Sequence, residues 1–152
     1  MRERLMELIV CPKTGQTLDL SVDRHEGDEI LEGRLTSPDG TVYPISGGIP
    51  RLLPEPVNVS RAQQATVDRF GEQWNDFDFI GDHYEEQFLG WIRPNRPSDF
   101  EGQVVLEGGC GKGRHSALCA TWGAKDVLAI DLGSAVDACY RNCRRPKTDT
   151  LT

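Results

Sequence analysis

Glu107 stands just ahead of a stretch in which glycine recurs at every second position, Gly109, Gly111 and Gly113, with Cys110, Lys112 and Arg114 nearby. Backbone without side chains turns sharply and lets a ligand come close to main-chain N–H groups. Asp131 closes the next apolar run, residues 127–130. A carboxylate there suits the hydroxyls of a ribose, because carboxylate–hydroxyl hydrogen bonds are charge-assisted and a phosphate would be repelled. A dinucleotide fingerprint needs glycine or alanine where this chain has Arg114 in one register and Ser116 in the other, which argues against an oxidoreductase. No residue declares itself as a catalytic base. His115 is expected to face solvent or cap the first helical turn, and Cys110 to pack beneath the loop. Cys119, Cys139 and Cys143 read as helix residues without assigned chemistry.

Elements that alternate must position these groups. Residues 103–107 read as a strand leading into the glycine turn, and residues 114–122 as a helix that Gly123 can end. The apolar run at 127–130 reads as a strand covered on both faces, and residues 134–143 as a helix with Ser134 at its N-cap. Strand, helix, strand, helix is an α/β pattern, assigned here to residues 101–152. Residues 57–100 form a helical bridge rich in aromatic residues. Ala65, Val67, Phe70 and Trp74 fall mostly on one helical side, and a second short helix around Tyr84, Phe88 and Trp91 stops near Pro94. This bridge reads as a layer packed on the following domain; a wall or lid over a ligand pocket is the alternative. Residues 1–56 form a small β-rich module, with strands at 18–22, 29–35 and 41–45 and turns at Pro38-Asp39-Gly40 and Gly47-Gly48.

The chain has 152 residues, a net charge of -7 and 38% hydrophobic residues, compatible with a folded protein and unfavourable for a nucleic-acid scaffold. Its one basic run, Arg141, Arg144, Arg145 and Lys147, reads as a solvated tail. No stretch is long and apolar enough for a transmembrane segment, and the first residues lack the core of a secretion signal. Five cysteines without a disulfide spacing point to thiols in a reducing compartment, so a cytoplasmic location is expected.

Two resemblances sharpen this reading. Residues 105–113, Val-Leu-Glu-Gly-Gly-Cys-Gly-Lys-Gly, resemble the first motif of class I S-adenosylmethionine-dependent methyltransferases, with Gly108 where that family usually has a hydrophobic residue. The resemblance implies a cofactor site for S-adenosyl-L-methionine formed by Glu107, Gly109, Cys110, Gly111, Gly113, Asp131 and Leu132, with Asp131 holding the ribose hydroxyls. Residues 8–12 and 40–53 resemble the small Trm112-like zinc-ribbon domain of methyltransferase activator subunits. Members often carry two C-x-x-C pairs. Here Cys11 is followed by Thr14, and the second pair falls on Thr36 and Asp39, so no metal is expected; His25 is expected in an exposed loop.

The implied fold is α/β, an incomplete Rossmann-like methyltransferase core preceded by a small β-rich domain and a helical bridge. Too few residues follow Gly113 to finish such a sheet, so the chain is expected to be the N-terminal, truncated part of a methyltransferase. The parent would act on a small-molecule or lipid-like methyl acceptor. A protein partner or self-association through the incomplete sheet would complete the fold, with no nucleic acid involved. The alternative function is a non-catalytic accessory or activating subunit of a methyltransferase.

Overall fold

The structure, a computed structural model, describes residues 1–53, 60–77 and 83–144. The chain divides into two compact units, Met1–Val59 and Ser60–Thr152. Phe79 of the bridge and the basic residues Arg145 and Lys147 lie outside the described residues.

The first unit is an antiparallel sheet in the order β1-β2-β3-β4, formed by Asp19–Glu26, Glu29–Thr36, Val42–Ser46 and Ile49–Pro50. Alternation in β3 buries Tyr43 and Ile45 and exposes Val42 and Ser46, the half-buried pattern of a one-sided sheet. Leu35 pairs with Tyr43 across the β2–β3 ladder, placing two wholly enclosed side chains side by side. Around them close Met1, Cys11, Leu18, Ile30 and Ile45, with Leu5, Met6, Ile9, Leu20 and Leu52 at the margin. Leu5 and Met6 belong to a short 3-10 helix, Glu3–Glu7, which the sequence pattern did not announce. The Met1 ammonium reaches Ile30 O at 2.8 Å and Glu29 Oε2 at 3.2 Å, tying this helix to the sheet. His25 is exposed as expected, but on strand β1 opposite Ile30 rather than in a loop.

The second unit contains helices α1 (Arg61–Asp76) and α2 (His83–Trp91), then strand β5 (Val104–Gly108), helix α3 (Arg114–Thr121), strand β6 (Asp126–Ile130) and helix α4 (Ala135–Arg144). β5 and β6 pair in parallel from Val104↔Asp126 to Gly108↔Ile130, so both strands end at one edge. Ser60 caps α1 in a reciprocal capping box: its side chain accepts from Gln63 N, and Gln63 Oε1 accepts from Ser60 N at 2.8 Å. The bridge thus packs with the segment that follows it. Asn75 near the end of α1 donates to Ser134 O just before α4, and Phe88 of α2 stacks on Trp122 just past α3 at 5.5 Å between centroids.

Coverage of the parallel pair differs from the sequence expectation. Val104 and Leu106 of β5 and Ile130 of β6 share one sheet face and are each more than half exposed, with Leu128 between them half-buried, so the described residues leave much of that face open. The opposite face, through Val105 and Glu107, turns toward α3.

Candidate functional site

The three alternating glycines meet three different surroundings. Gly113 enters α3 at φ +81°, and a Cβ there would lie 2.5 Å from Cys139 Sγ and 3.0 Å from Cys139 Cα. Bare backbone at this point is what lets α4 approach the start of α3. A Cβ at Gly111 would meet Trp74 Nε1 of α1 at 3.3 Å, whereas one at Gly109 would meet nothing within 4 Å. Among the three, open space beside bare backbone is therefore found at Gly109, continuing that at Gly108.

Hydrogen bonds account for most of the turn. Gly109 and Cys110 N–H both donate to Ile130 O, at 2.8 and 3.0 Å, and Gly113 N–H donates to Cys110 O at 2.9 Å. Asp131 points into the turn: Oδ2 accepts from Gly111 N at 2.9 Å and Oδ1 from Gly133 N at 3.1 Å. Each carboxylate oxygen retains a second lone pair, so this half-buried group can still accept a ligand hydroxyl. Leu132, beside it, is 58% exposed. The structure thus brings Gly109, Cys110, Gly111, Gly113 and Asp131 together at the strand ends, with Leu132 adjoining.

Glu107 faces the first turn of α3. Its Oε1 lies 2.9 Å from His115 Nδ1, and its Oε2 accepts a very short hydrogen bond from Ser116. Contrary to the sequence expectation of a solvent-facing or capping role, His115 is turned into the second unit. Its ring stacks on Phe88 at 4.4 Å and meets Trp91 edge-on at 5.7 Å, and its Nε2 is buried without a partner among the described residues. Lys112 is 6% exposed; it donates to Phe77 O at 3.0 Å, with Nζ 5.2 Å from the Trp74 ring and 5.4 Å from Tyr84. Arg114 lies over Tyr84 and Trp91 at 4.8 and 5.7 Å. Both cations pack on aromatic faces, where the ring quadrupole attracts them.

Cysteine chemistry below the turn is subdued. Cys110 packs there with 4% exposure. Its hydrogen bond with Cys139, together with burial, pushes the Cys139 thiol up to about 12, and burial pushes Cys119 up to about 11. Thiols so shifted remain protonated at neutral pH and are poor nucleophiles.

In the first unit a second polar cluster surrounds Cys11. Its Sγ lies 3.3 Å from Tyr43 Oη, and Thr14 Oγ1 lies 3.3 Å from Ser37 Oγ. Burial raises the Cys11 thiol, but hydrogen bonds from Ser37, Thr14 and Tyr43 outweigh it and bring the pKa down to about 6. Asp39 is taken by Lys13 Nζ at 2.9 Å and Thr41 N at 3.0 Å. Ser37, rather than Thr36, supplies the hydroxyl beside Thr14. One thiol among hydroxyls does not fit tetrahedral zinc, and among the described residues no three His, Cys, Asp or Glu side chains assemble as a metal site.

Comparison with known proteins bears on this first unit. Residues 2–48 match the family described as Trm112p-like protein. A chain from a solved complex containing the Haloferax volcanii Trm112 methyltransferase activator is 51% identical, with a TM-score of 0.34; the match covers 36% of this chain and 93% of that one. No curated protein matches. The chain therefore carries a Trm112p-like domain at residues 2–48.

Sequence reasoning missed Trp74, Lys112 and the Glu107–His115 pair as parts of one assembly. The concentration of aromatic residues at 70–91 was the available signal, because a cation next to a glycine turn and an aromatic-rich helix are natural partners.

Proposed function

We propose that this chain serves S-adenosylmethionine-dependent methylation as an accessory component, its first unit acting as a methyltransferase-binding, activating module. The Trm112p-like domain at residues 2–48 carries this reading. That unit has a closed core around Leu35 and Tyr43 and a Cys11 cluster built from hydroxyls, which suits a binding module better than a reaction centre. Stimulation decides it. Adding the chain to a separately expressed methyltransferase from the same cell should raise turnover and yield a stable complex on size-exclusion chromatography. Equal turnover with and without the chain, across the methyltransferases of that cell, would refute the accessory role.

A second reading is favoured by one observation in the second unit, the Asp131 carboxylate aimed into the glycine turn at the ends of two parallel strands. Here the second unit is the N-terminal part of a Rossmann-like methyltransferase core. Asp131 would hold ribose hydroxyls of S-adenosyl-L-methionine, the backbone at Gly109 and Cys110 would lie along the methionine part, and Leu132 would offer an apolar wall. The cofactor supplies an electrophilic methyl group to a small-molecule or lipid-like acceptor by in-line substitution. The residues of this chain bind, orient and exclude water. Glu107 fixes α3 to β5 through His115 and Ser116. The bare face of Val104, Leu106 and Ile130 would be covered by further protein, from a partner or from self-association. A cytoplasmic location belongs to the same proposal and is supported by the five free cysteines, which suit a reducing compartment. Calorimetric titration with S-adenosyl-L-methionine should give saturable binding that Asp131→Ala abolishes. Binding of equal strength in that variant would remove Asp131 from the site.

A further inference from the structure

We infer that Lys112 and Trp74 are positioning residues of the cofactor turn: they strap α1 across it, so that a ligand reaches bare backbone at Gly109 but not at Gly111 or Gly113. The inference rests on the reading of the second unit as an S-adenosyl-L-methionine site and says which part of the turn is left for the ligand.

Three sets of contacts carry it. On the turn, the Trp74 indole occupies the space beside Gly111, while Gly113 is closed by Cys139 of α4 and Gly109 has an open flank. Lys112, between the two closed glycines, reaches back to the bridge: Nζ donates to Phe77 O at 3.0 Å and lies against the Trp74 and Tyr84 rings. Beyond β6, the loop that carries Asp131 is held by the same helix. Asn75 Nδ2 donates to Ser134 O at 2.9 Å, Arg141 donates to Asn75 Oδ1 at 2.9 Å, and a Cβ at Gly133 would lie 2.7 Å from Val67 Cγ1.

A single helix therefore braces both loops that a nucleoside ligand would touch. Lys112 also ties the turn to α4, since Asn142 Nδ2 donates to its carbonyl at 2.9 Å. A turn braced by protein keeps its shape before the ligand arrives, and binding then costs less ordering. Released from α1, Gly111 and the Asp131 carboxylate would lose the frame that sets their hydrogen bond.

The experiment uses the full chain as wild type, Lys112→Met, Lys112→Arg and Trp74→Ala. Two readouts are taken: hydrogen exchange at the backbone amides of residues 109–113 without ligand, and calorimetric affinity for S-adenosylhomocysteine. Amides of the first unit, in strands β2 and β3, serve as the folding control. Lys112→Met and Trp74→Ala should raise exchange at Gly111 and Gly113 and weaken binding, each by about tenfold, the scale of one broken local brace. Lys112→Arg, which keeps a cation over the rings, should recover part of both effects. Unchanged exchange in Lys112→Met and Trp74→Ala would overturn the strap, as would faster exchange with unaltered affinity. If wild type itself fails to bind, the cofactor reading falls and the inference with it. If wild type binds and every variant binds equally, the inference alone falls.

Discussion

Cys11 shows how a side chain can be legible in type and misread in company. Its place after an apolar run identified it, and the missing thiol partners followed from Thr14 and Asp39. What sequence did not reveal is that Tyr43, on β3, closes the cluster, because that contact depends on the β2–β3 register. A thiol lowered to about 6 in the folded protein, against about 8.5 in an unfolded chain, makes stability depend on pH. The contribution is full above the unfolded value and is lost as pH falls through the folded one. Urea unfolding followed by circular dichroism should show the first unit gaining stability between about pH 6 and 8.5. Cys11→Ala should flatten that rise. An identical pH profile in the variant would show that the thiol does not ionise differently in the two states.

Among the elements, the best predicted were those with long local patterns. The helical side read from Ala65, Val67, Phe70 and Trp74 lies within α1, Arg61–Asp76, and the strands at 29–35 and 103–107 shift by a residue or so. Ends moved because caps and hydrogen bonds, rather than periodicity, set them. The 3-10 helix Glu3–Glu7 escaped because it is held from a distance, by Met1 on Ile30 and Glu29. The glycine turn was legible as bare backbone, but not its neighbours: Trp74 and Cys139 come from helices far away in sequence. Their proximity makes a prediction about how α3 and α4 join. Gly113→Ala meets Cys139 at a position with φ +81°, so overpacking and left-handed strain together should cost roughly 2–4 kcal/mol in chemical unfolding. Adding Cys139→Ala should return only part of this, because Cys139 Cα and Cβ, at 3.0 and 3.1 Å, remain in place. Full recovery would locate the whole clash at the sulfur.

At the scale of the molecule, sequence placed a small β module before an α/β segment, and the structure has an antiparallel sheet followed by a separate parallel pair. The apolar run at 127–130 led to an expectation of cover on both faces. The exposed Ile130, with Val104 and Leu106 beside it, shows why such a run is ambiguous: hydrophobicity states a need for cover and not its source. One consequence of how the aromatic residues are distributed concerns light rather than binding. All three tryptophans, Trp74, Trp91 and Trp122, belong to the second unit, and the first has none. Excitation at the red edge of indole absorption therefore makes the second unit its own optical reporter, silent to events around Tyr43. Denaturation traced by that emission should part from the trace given by far-ultraviolet ellipticity, which sums both units, whereas superimposable curves would mean that the two unfold as one. Iodide quenching should reach Trp91, 60% exposed, before it reaches its two half-enclosed companions.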